Sequence, residues 1–107
     1  MHTSGTQCKL IAMLGLAQKA GKVISGDDAI TKAARNGSVH IVLIAADASD
    51  NTRKGYQDMA NYYKVVCVEV LSKEQLGASI GKAQRAALAI TDAGFGLAVK
   101  KLCLEHT

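Results

Sequence analysis

The feature that most limits how this chain can fold is a run of almost entirely apolar residues at 39–46, which begins Val39-His40 and continues Ile-Val-Leu-Ile-Ala-Ala. Its β-branched and aliphatic side chains favour a strand. Polar residues do not alternate with the apolar ones, so the pattern does not indicate one solvent-exposed face and one buried face. A strand that is apolar on both faces belongs inside a sheet that is covered on both sides. The rest of the chain is therefore expected to supply helices for two faces.

Helical and strand patterns alternate around this run. Residues 6–20 repeat apolar side chains at three- and four-residue spacing before Gly21, which predicts a helix. Short apolar runs at 22–24, 65–70 and 86–90 predict three further strands. The alternation predicts an α/β fold, a three-layer α/β/α sandwich around a four-stranded, mainly parallel or mixed sheet. In such sheets, helix N-termini gather at the carboxyl edge of the strands, where ligands usually bind.

Polar residues suited to helix starts precede the later helical patterns. Residues 49–51 offer N-caps for a third helix, residues 72–75 have the spacing of a capping box, and residues 91–92 can cap the last helix. We interpret the tyrosines of the third helix as packing residues rather than as platforms for stacked bases. They belong to the inward stripe Tyr56, Met59, Ala60 and Tyr63.

Length and composition indicate one folded domain over residues 1–107. Hydrophobic residues make up 49% of the chain and charged residues 21%, which argues against disorder. No apolar run has membrane-spanning length, and residues 1–5 have no basic region leading into an apolar segment and a cleavage site, so we expect a cytoplasmic protein without membrane contact. The net charge of +4 fits a polyanionic partner without requiring one.

Neither a metal site nor a cofactor is predicted. Cys8, Cys67 and Cys103 lack paired spacing and stand in apolar contexts, so we interpret each of them as a small packing residue. The segment 77–83 imitates a phosphate-binding loop but has three residues between its glycines instead of four, and it lacks the hydroxyl that binds magnesium. The Gly-Phe-Gly at 94–96 lacks the third glycine of a dinucleotide site. With no evident nucleophile and base, we expect no enzyme.

The stretch Lys22–Lys32 leads from a short strand into the first turn of a helix. The first amides of a helix have no partner within it and attract electron-rich groups. Gly26 would let another backbone approach. Either Ser25 or Gly26 can serve as the N-cap, and Ser25 with Asp28 resembles a capping box that carries Asp in place of Glu. Lys32 and Arg35 share a charged face of this helix. Taken alone, however, the stretch favours a simpler interpretation: a shaped turn, capping aspartates and solvated charges.

Several segments together resemble the bacterial YlxQ group of the kink-turn-binding ribosomal proteins, the L7Ae and L30e type. The resemblance covers about Leu10 to Leu102. It rests on the order and spacing of Leu14-Gly15-Leu16-Ala17, Lys22-Val23-Ile24-Ser25-Gly26, Ala46-Asp47-Ala48-Ser49, Asn51-Thr52, Asn61-Tyr62-Tyr63-Lys64-Val65, Leu76-Gly77-Ala78-Ser79-Ile80-Gly81-Lys82 and Thr91-Asp92-Ala93-Gly94-Phe95. It implies the sandwich fold and a structured RNA partner, a kink-turn or internal loop.

The resemblance also implies two contact regions. In the family the second helix begins Gly-x-Asn-Glu, followed two residues on by a basic position; Gly26 and Lys32 match, but Asp28 and Ala29 replace Asn and Glu. The second region is a loop of pattern Leu-Gly-x-Ala-x-Gly that supports bases flipped out at the kink. Here the matching segment is Leu76, Gly77, Ala78, Ser79, Ile80 and Gly81, with Ser79 in place of the alanine.

The resulting hypothesis is a non-catalytic, monomeric RNA-binding accessory protein of the ribosome or of gene expression, with ribosomal RNA and ribosomal, transcription or translation proteins as further partners. Gly26 would admit the RNA backbone, Asp27 and Asp28 would meet base edges, and Lys32 and Arg35 would contact phosphates. Residues 78–81 would support an extruded base. Because Asp28 cannot donate a hydrogen bond, the alternative is a protein-interaction module that has lost RNA recognition. A small-molecule enzyme ranks last.

Overall fold

A computed structural model describes residues 5–106, with their side chains except those at 6, 105 and 106. Residues 1–4, for which the sequence predicts no export signal, lie outside the described part. The elements in chain order are α1 Gly5–Lys19, β1 Val23–Ser25, α2 Asp27–Arg35, β2 Ile41–Ile44, α3 Asp50–Tyr63, β3 Val66–Glu69, α4 Lys73–Ser79, β4 Ala87–Ile90 and α5 Ala93–His106. The predicted alternation of helices and strands is confirmed.

The four strands form one mixed sheet in the order β1-β4-β2-β3. Strands β2 and β3 are parallel, whereas β4 runs antiparallel to both of its neighbours, β1 and β2. The reversal occurs because the short helix α4 and its following loop bring the chain back to the edge it left. There the amide of Arg85 donates to the carbonyl of Lys73 at 3.0 Å. The sheet is therefore mixed, one of the two forms that the sequence predicts.

Helices cover both faces of the sheet, as the apolar run requires. Helices α1, α4 and α5 pack together on one face, and α2 and α3 pack on the other. Every residue of the two central strands, β2 and β4, is buried. Burial of aliphatic side chains at about 25 cal/mol per Å² supplies most of the stability of such a core. Its largest fully buried members are Leu10, Leu14, Ile30, Ile41, Leu43, Ile44, Leu76, Leu88, Ile90, Val42 and Val99.

The predicted helix caps of α3, α4 and α5 are confirmed. Ser49 caps α3 by accepting from the amide of Thr52, and Ser72 and Gln75 form a complete capping box at α4. The carboxylate of Asp92 accepts from the amide of Phe95 at 2.9 Å and starts α5. One expectation is wrong: α5 follows the reversed strand β4, so its N-terminus lies at the opposite edge from those of α2, α3 and α4.

The cysteines differ in their surroundings. Cys103 is buried, Cys67 is half-buried, and Cys8 is exposed, so the expectation that all three pack as hydrophobes is wrong for Cys8. Burial raises the pKa of the Cys103 thiol to about 11. It also raises the pKa of Cys67, with a smaller contribution from the nearby charge of Glu69. Within residues 5–106 no helix is both long and apolar enough to cross a membrane.

Candidate functional site

The chain enters α2 from β1 through Gly26. This glycine has φ 98° and ψ 133°, a backbone conformation that disfavours residues with a β-carbon. It is the N-cap of the helix, and no side chain caps the amides of the first turn. The expected capping box of Ser25 and Asp28 is wrong, because Ser25 is the last residue of β1 and pairs with Leu88. The first turn of α2 therefore opens onto space, and a β-carbon at Gly26 would meet nothing within 4 Å.

Helix α2 has one buried side and one exposed side, as its sequence predicts. Ile30, Ala33 and Ala34 are buried against the rest of the fold, while Asp28, Ala29, Lys32 and Arg35 are exposed. The salt bridges of the described residues are both made by Arg53, which contacts Asp50 and Glu69. The cations of α2 are consequently available to an external partner.

Asp27 has a role within the fold. Its carboxylate accepts a hydrogen bond from the hydroxyl of Tyr56, which joins the first turn of α2 to the middle of α3. Burial, and to a lesser degree this bond to a carboxylate, raises the pKa of the Tyr56 hydroxyl. Tyr56 is 6% exposed, so it acts as a packing residue with a polar tip. The exposed first turn of α2 is thereby fixed relative to α3.

The second predicted contact region, residues 76–81, lies at the end of α4 and the start of the loop at 80–86. A β-carbon at Gly77 would lie 1.9 Å from the carbonyl oxygen of Ala83 and 2.6 Å from its carbonyl carbon. The missing side chain thus admits the backbone of this protein's own loop, not a ligand. Gly81 has φ 70° and an open space at its β-carbon position, so it shapes the turn that leaves the helix.

Only part of the predicted loop segment reaches the surface. Ala78 and Gly81 are exposed, whereas the other members are buried: Leu76, Gly77, Ser79 and Ile80. The hydroxyl of Ser79 donates to the carbonyl of Leu76 at 2.7 Å, so it is satisfied inside the helix. The buried residues therefore support the loop from below, and Ala78 and Gly81 are the ones that a ligand can touch.

The sheet register brings the two regions to one edge of the molecule. Ser25, at the end of β1, pairs with Leu88 near the start of β4, and Ile44 at the end of β2 pairs with Ala87. The loop at 80–86 consequently enters β4 next to the point where β1 leaves for α2. We call this surface the α2–loop edge. It consists of the first turn of α2, the exposed residues of the loop at 80–86 and the end of β2 at Ile44.

Hydrogen bonds between segments hold the α2–loop edge in place. The amide of Lys73 donates to the carboxylate of Asp47 at 2.8 Å, which ties the start of α4 to the end of β2. The amide of Ala45 donates to the carbonyl of Ala86, also at 2.8 Å, which ties β2 to the loop. These bonds fix the start of α4 and the end of the loop relative to β2.

The same edge carries cations that are not among the site residues predicted from the sequence. Lys82 is exposed on the loop, Lys73 begins α4, and Arg85 ends the loop with its guanidinium bonded to the carbonyls of Ala83 and Gln84. The sequence signal that could have indicated Lys82 as a site residue is its position beside a glycine-bounded loop. Which lysines share an edge depends on the reversed direction of β4, and that direction was not predicted. Among the described residues, no group of three or more His, Cys, Asp or Glu is arranged to hold a metal ion.

A mixed four-stranded sheet between two helical layers, with a glycine-capped helix and a supported loop at one edge, defines a class of small α/β/α proteins. Residues 9–98 match the Ribosomal protein L7Ae/L30e/S12e/Gadd45 family, and the chain belongs to this family. The resemblance stated from the sequence is thereby confirmed.

Two relatives that cover most of the chain are called RNA-binding protein YlxQ. The relative from Bacillus subtilis (strain 168) is 49% identical over 83 residues, which span 78% of this chain and 83% of the relative. The relative from Enterococcus faecium is 39% identical over 98 residues, which span 92% of this chain and 94% of the relative. Both alignments extend over the greater part of each protein.

Solved structures resemble the whole fold. A protein with unknown function from Bacillus halodurans C superposes with a TM-score of 0.85 at 33% identity, covering 89% of this chain and 96% of that one. The Giardia lamblia 15.5kD RNA binding protein gives a TM-score of 0.77 at 18% identity, covering 98% of this chain and 90% of that one. At the lower identity the likeness concerns the fold alone.

Proposed function

We propose that this chain is a non-catalytic RNA-binding protein that recognises a bent, structured RNA of the kink-turn or internal-loop type at the α2–loop edge. The observation that carries the proposal is the juxtaposition of the uncapped first turn of α2 with the supported loop at 80–86. The names of the two YlxQ relatives agree with an RNA partner.

Each side of the edge suits a different part of such an RNA. Gly26 leaves open space in which the RNA backbone can approach the start of α2. Asp28 is exposed and accepts hydrogen bonds from the amino groups of guanine, adenine or cytosine. One oxygen of Asp27 is occupied by Tyr56, and its other oxygen remains an acceptor for a base.

The basic residues contact phosphates and the loop contacts bases. Lys32 and Arg35 lie farther along the exposed side of α2, and Lys82 extends the positive charge to the loop. Ala78 and Gly81 offer a small, uncharged surface to a base extruded at the bend, and the buried residues Leu76, Gly77, Ser79 and Ile80 hold that surface in position. No cofactor or metal takes part in this mode of binding.

A titration with a labelled kink-turn duplex and a straight duplex of the same length tests the proposal. We expect tighter binding to the kink-turn RNA, and the preference should persist when salt is raised, because base contacts are less screened than phosphate contacts. Equal affinity for the two duplexes across the salt series would refute recognition of the bend.

A second candidate is a protein-interaction module on the same scaffold. Asp28 and Ala29 favour it, because together they replace the donor and acceptor groups that the family uses on RNA. Affinity purification from a lysate treated with RNase separates the candidates. An adaptor keeps its protein partners after the treatment, whereas an RNA-binding accessory factor of the ribosome or of gene expression, acting as a cytoplasmic monomer, loses partners that RNA bridges.

A further inference from the structure

A pocket lies between α2 and α3 and includes a residue of the first turn of α2. It encloses about 270 Å³, which is below the range of about 300–1,000 Å³ for sites that take drug-sized ligands. Its lining includes Asp27 and Thr31 of α2 and Asn51, Thr52 and Met59 of α3. We call it the α2–α3 pocket. Its size suits one small ring system and not a helix or strand of a partner.

Gly55 also lines the α2–α3 pocket, and no contact within the described fold explains why this residue is a glycine. It lies in the middle of α3, where glycine is less favourable than alanine. Gly55 is not among the glycines with positive φ, and no described atom lies within 4 Å of the position that its β-carbon would take. A flat ligand that packs against the bare backbone would explain the glycine.

The polar groups of the α2–α3 pocket suit a ligand that donates hydrogen bonds and carries no negative charge. None of the described lining residues is a lysine, arginine or histidine, so a phosphate would find no cation there. The carboxylate of Asp27 accepts from the buried hydroxyl of Tyr56 and can accept from further donors. The side chains of Thr31 and Asn51 both donate and accept, which matches the mixed edge of a nucleobase.

We propose that the α2–α3 pocket takes one unpaired base with an amino group, from the same RNA that binds the α2–loop edge. Asp27 belongs to both sites, since it stands in the first turn of α2 and in the pocket lining. This continuity favours a base over the side chain of a protein partner. The phosphates of the extruded nucleotide stay outside the pocket. The inference rests on the proposed function and adds a base-binding site on the α3 side of α2.

The test uses a kink-turn duplex in which each unpaired nucleotide is replaced in turn by an abasic one. We expect one of these replacements to weaken binding to the unmodified protein about tenfold. Gly55→Leu fills the pocket from an exposed position of a helix, where leucine is well tolerated. This variant should bind the parent RNA about tenfold more weakly and lose nothing more with that abasic RNA, because both changes remove the same contact.

A control variant and a second pocket variant complete the experiment. Ala12→Leu adds the same side chain at an exposed position of α1, on the other face of the sheet, and should bind like the unmodified protein. If circular dichroism shows that Gly55→Leu is unfolded, Thr31→Val takes its place, since it removes one pocket hydroxyl and adds no charge.

The identity of the base is tested at the nucleotide that the abasic series identifies. Cytosine should bind about tenfold more tightly than uracil there, because cytosine offers an amino group to Asp27 and uracil offers a carbonyl oxygen. Equal affinity for the two bases contradicts readout by the carboxylate and overturns the proposal.

The outcomes separate this inference from the proposed function. If the protein prefers the kink-turn duplex but the losses from Gly55→Leu and from every abasic RNA are additive, the pocket takes no base and the proposed function stands. If the protein does not prefer the kink-turn duplex to the straight one, the proposed function fails and the inference fails with it. Binding of free cytidine at about 10 μM assigns the pocket to a nucleoside and also overturns the proposal.

Discussion

Replacing Gly77 by alanine tests whether the loop of the α2–loop edge is held by close packing on α4. The added methyl would lie 1.9 Å from the carbonyl oxygen of Ala83, whereas ordinary contact begins at 3.4 Å. The loop backbone would have to move by about 1.5 Å, since the clashing atom is not at the end of a flexible side chain. We therefore expect Gly77→Ala both to destabilise the protein and to displace the loop.

The magnitude follows from two opposing effects. Overpacking in a well-packed site costs about 1–3 kcal/mol, and the upper part of that range applies to a backbone clash. Alanine in place of glycine inside a helix stabilises the helix by about 1 kcal/mol. We therefore expect Gly77→Ala to lower the free energy of unfolding by about 1–2 kcal/mol in total. Gly55, inside α3, has nothing within 4 Å of its β-carbon position, so Gly55→Ala should gain up to about 1 kcal/mol.

Urea denaturation followed by circular dichroism measures both variants. We expect the midpoint of Gly77→Ala to fall and that of Gly55→Ala to rise, with unchanged slopes. The affinity of Gly77→Ala for a kink-turn RNA should also fall when it is measured without urea, under conditions in which the variant is fully folded. If the two variants were equally stable, the packing of the loop on α4 would be refuted.

Three further predictions concern two exposed side chains of α2, and Tyr56, which bonds to the first turn of that helix. Lys32→Ala should reduce the slope of log affinity against log salt by about one unit if this lysine contacts a phosphate; an unchanged slope contradicts that contact. Asp28→Asn supplies an amide donor and removes a negative charge, so kink-turn affinity should rise about threefold to tenfold; weaker binding would contradict base readout at this position. Tyr56→Phe should lower the free energy of unfolding by about 1 kcal/mol at neutral pH. Folding raises the pKa of Tyr56 above 10.0, so the stability that its hydroxyl contributes is complete below pH 10 and declines above it. Above pH 10 the urea midpoint of Tyr56→Phe should therefore fall less steeply with pH than that of the unmodified protein.

The local signals in the sequence predicted the elements well but not the direction of β4. Periodicity and caps located each helix and strand of residues 5–106, including the capping box of Ser72 and Gln75. The direction of β4 is set by long-range pairing with β1 and β2, and the hydrogen bond from the Arg85 amide to the Lys73 carbonyl accompanies the return of the chain to the edge it left. No local pattern encodes such a contact, and the crossover rule alone leaves the mixed sheet as one of two outcomes.

The same contrast between predictable local features and unpredicted long-range contacts holds for the candidate site. The sequence predicts two segments for the site, but it does not predict the contacts that these segments make within the fold. The bond between Tyr56 and Asp27 joins residues 29 positions apart, so periodicity gave no sign of it. The glycine of the loop was assigned to contact with a ligand, whereas Gly77 contacts the backbone of Ala83. The spacing of small residues alone does not distinguish these two reasons for glycine.

The charge pattern of the proposed interface favours a bent RNA over a straight duplex. Asp27 and Asp28 stabilise the N-terminus of α2 through the helix dipole, but they repel phosphates that approach the centre of the edge. The cations lie to the sides: Lys32 and Arg35 farther along α2, and Lys82 on the loop that arrives from the other face of the sheet. A straight duplex presents phosphates on its outer surface and would meet the aspartates. A bend with splayed bases presents amino groups at its centre and phosphates on its flanks, which is the arrangement that these residues complement.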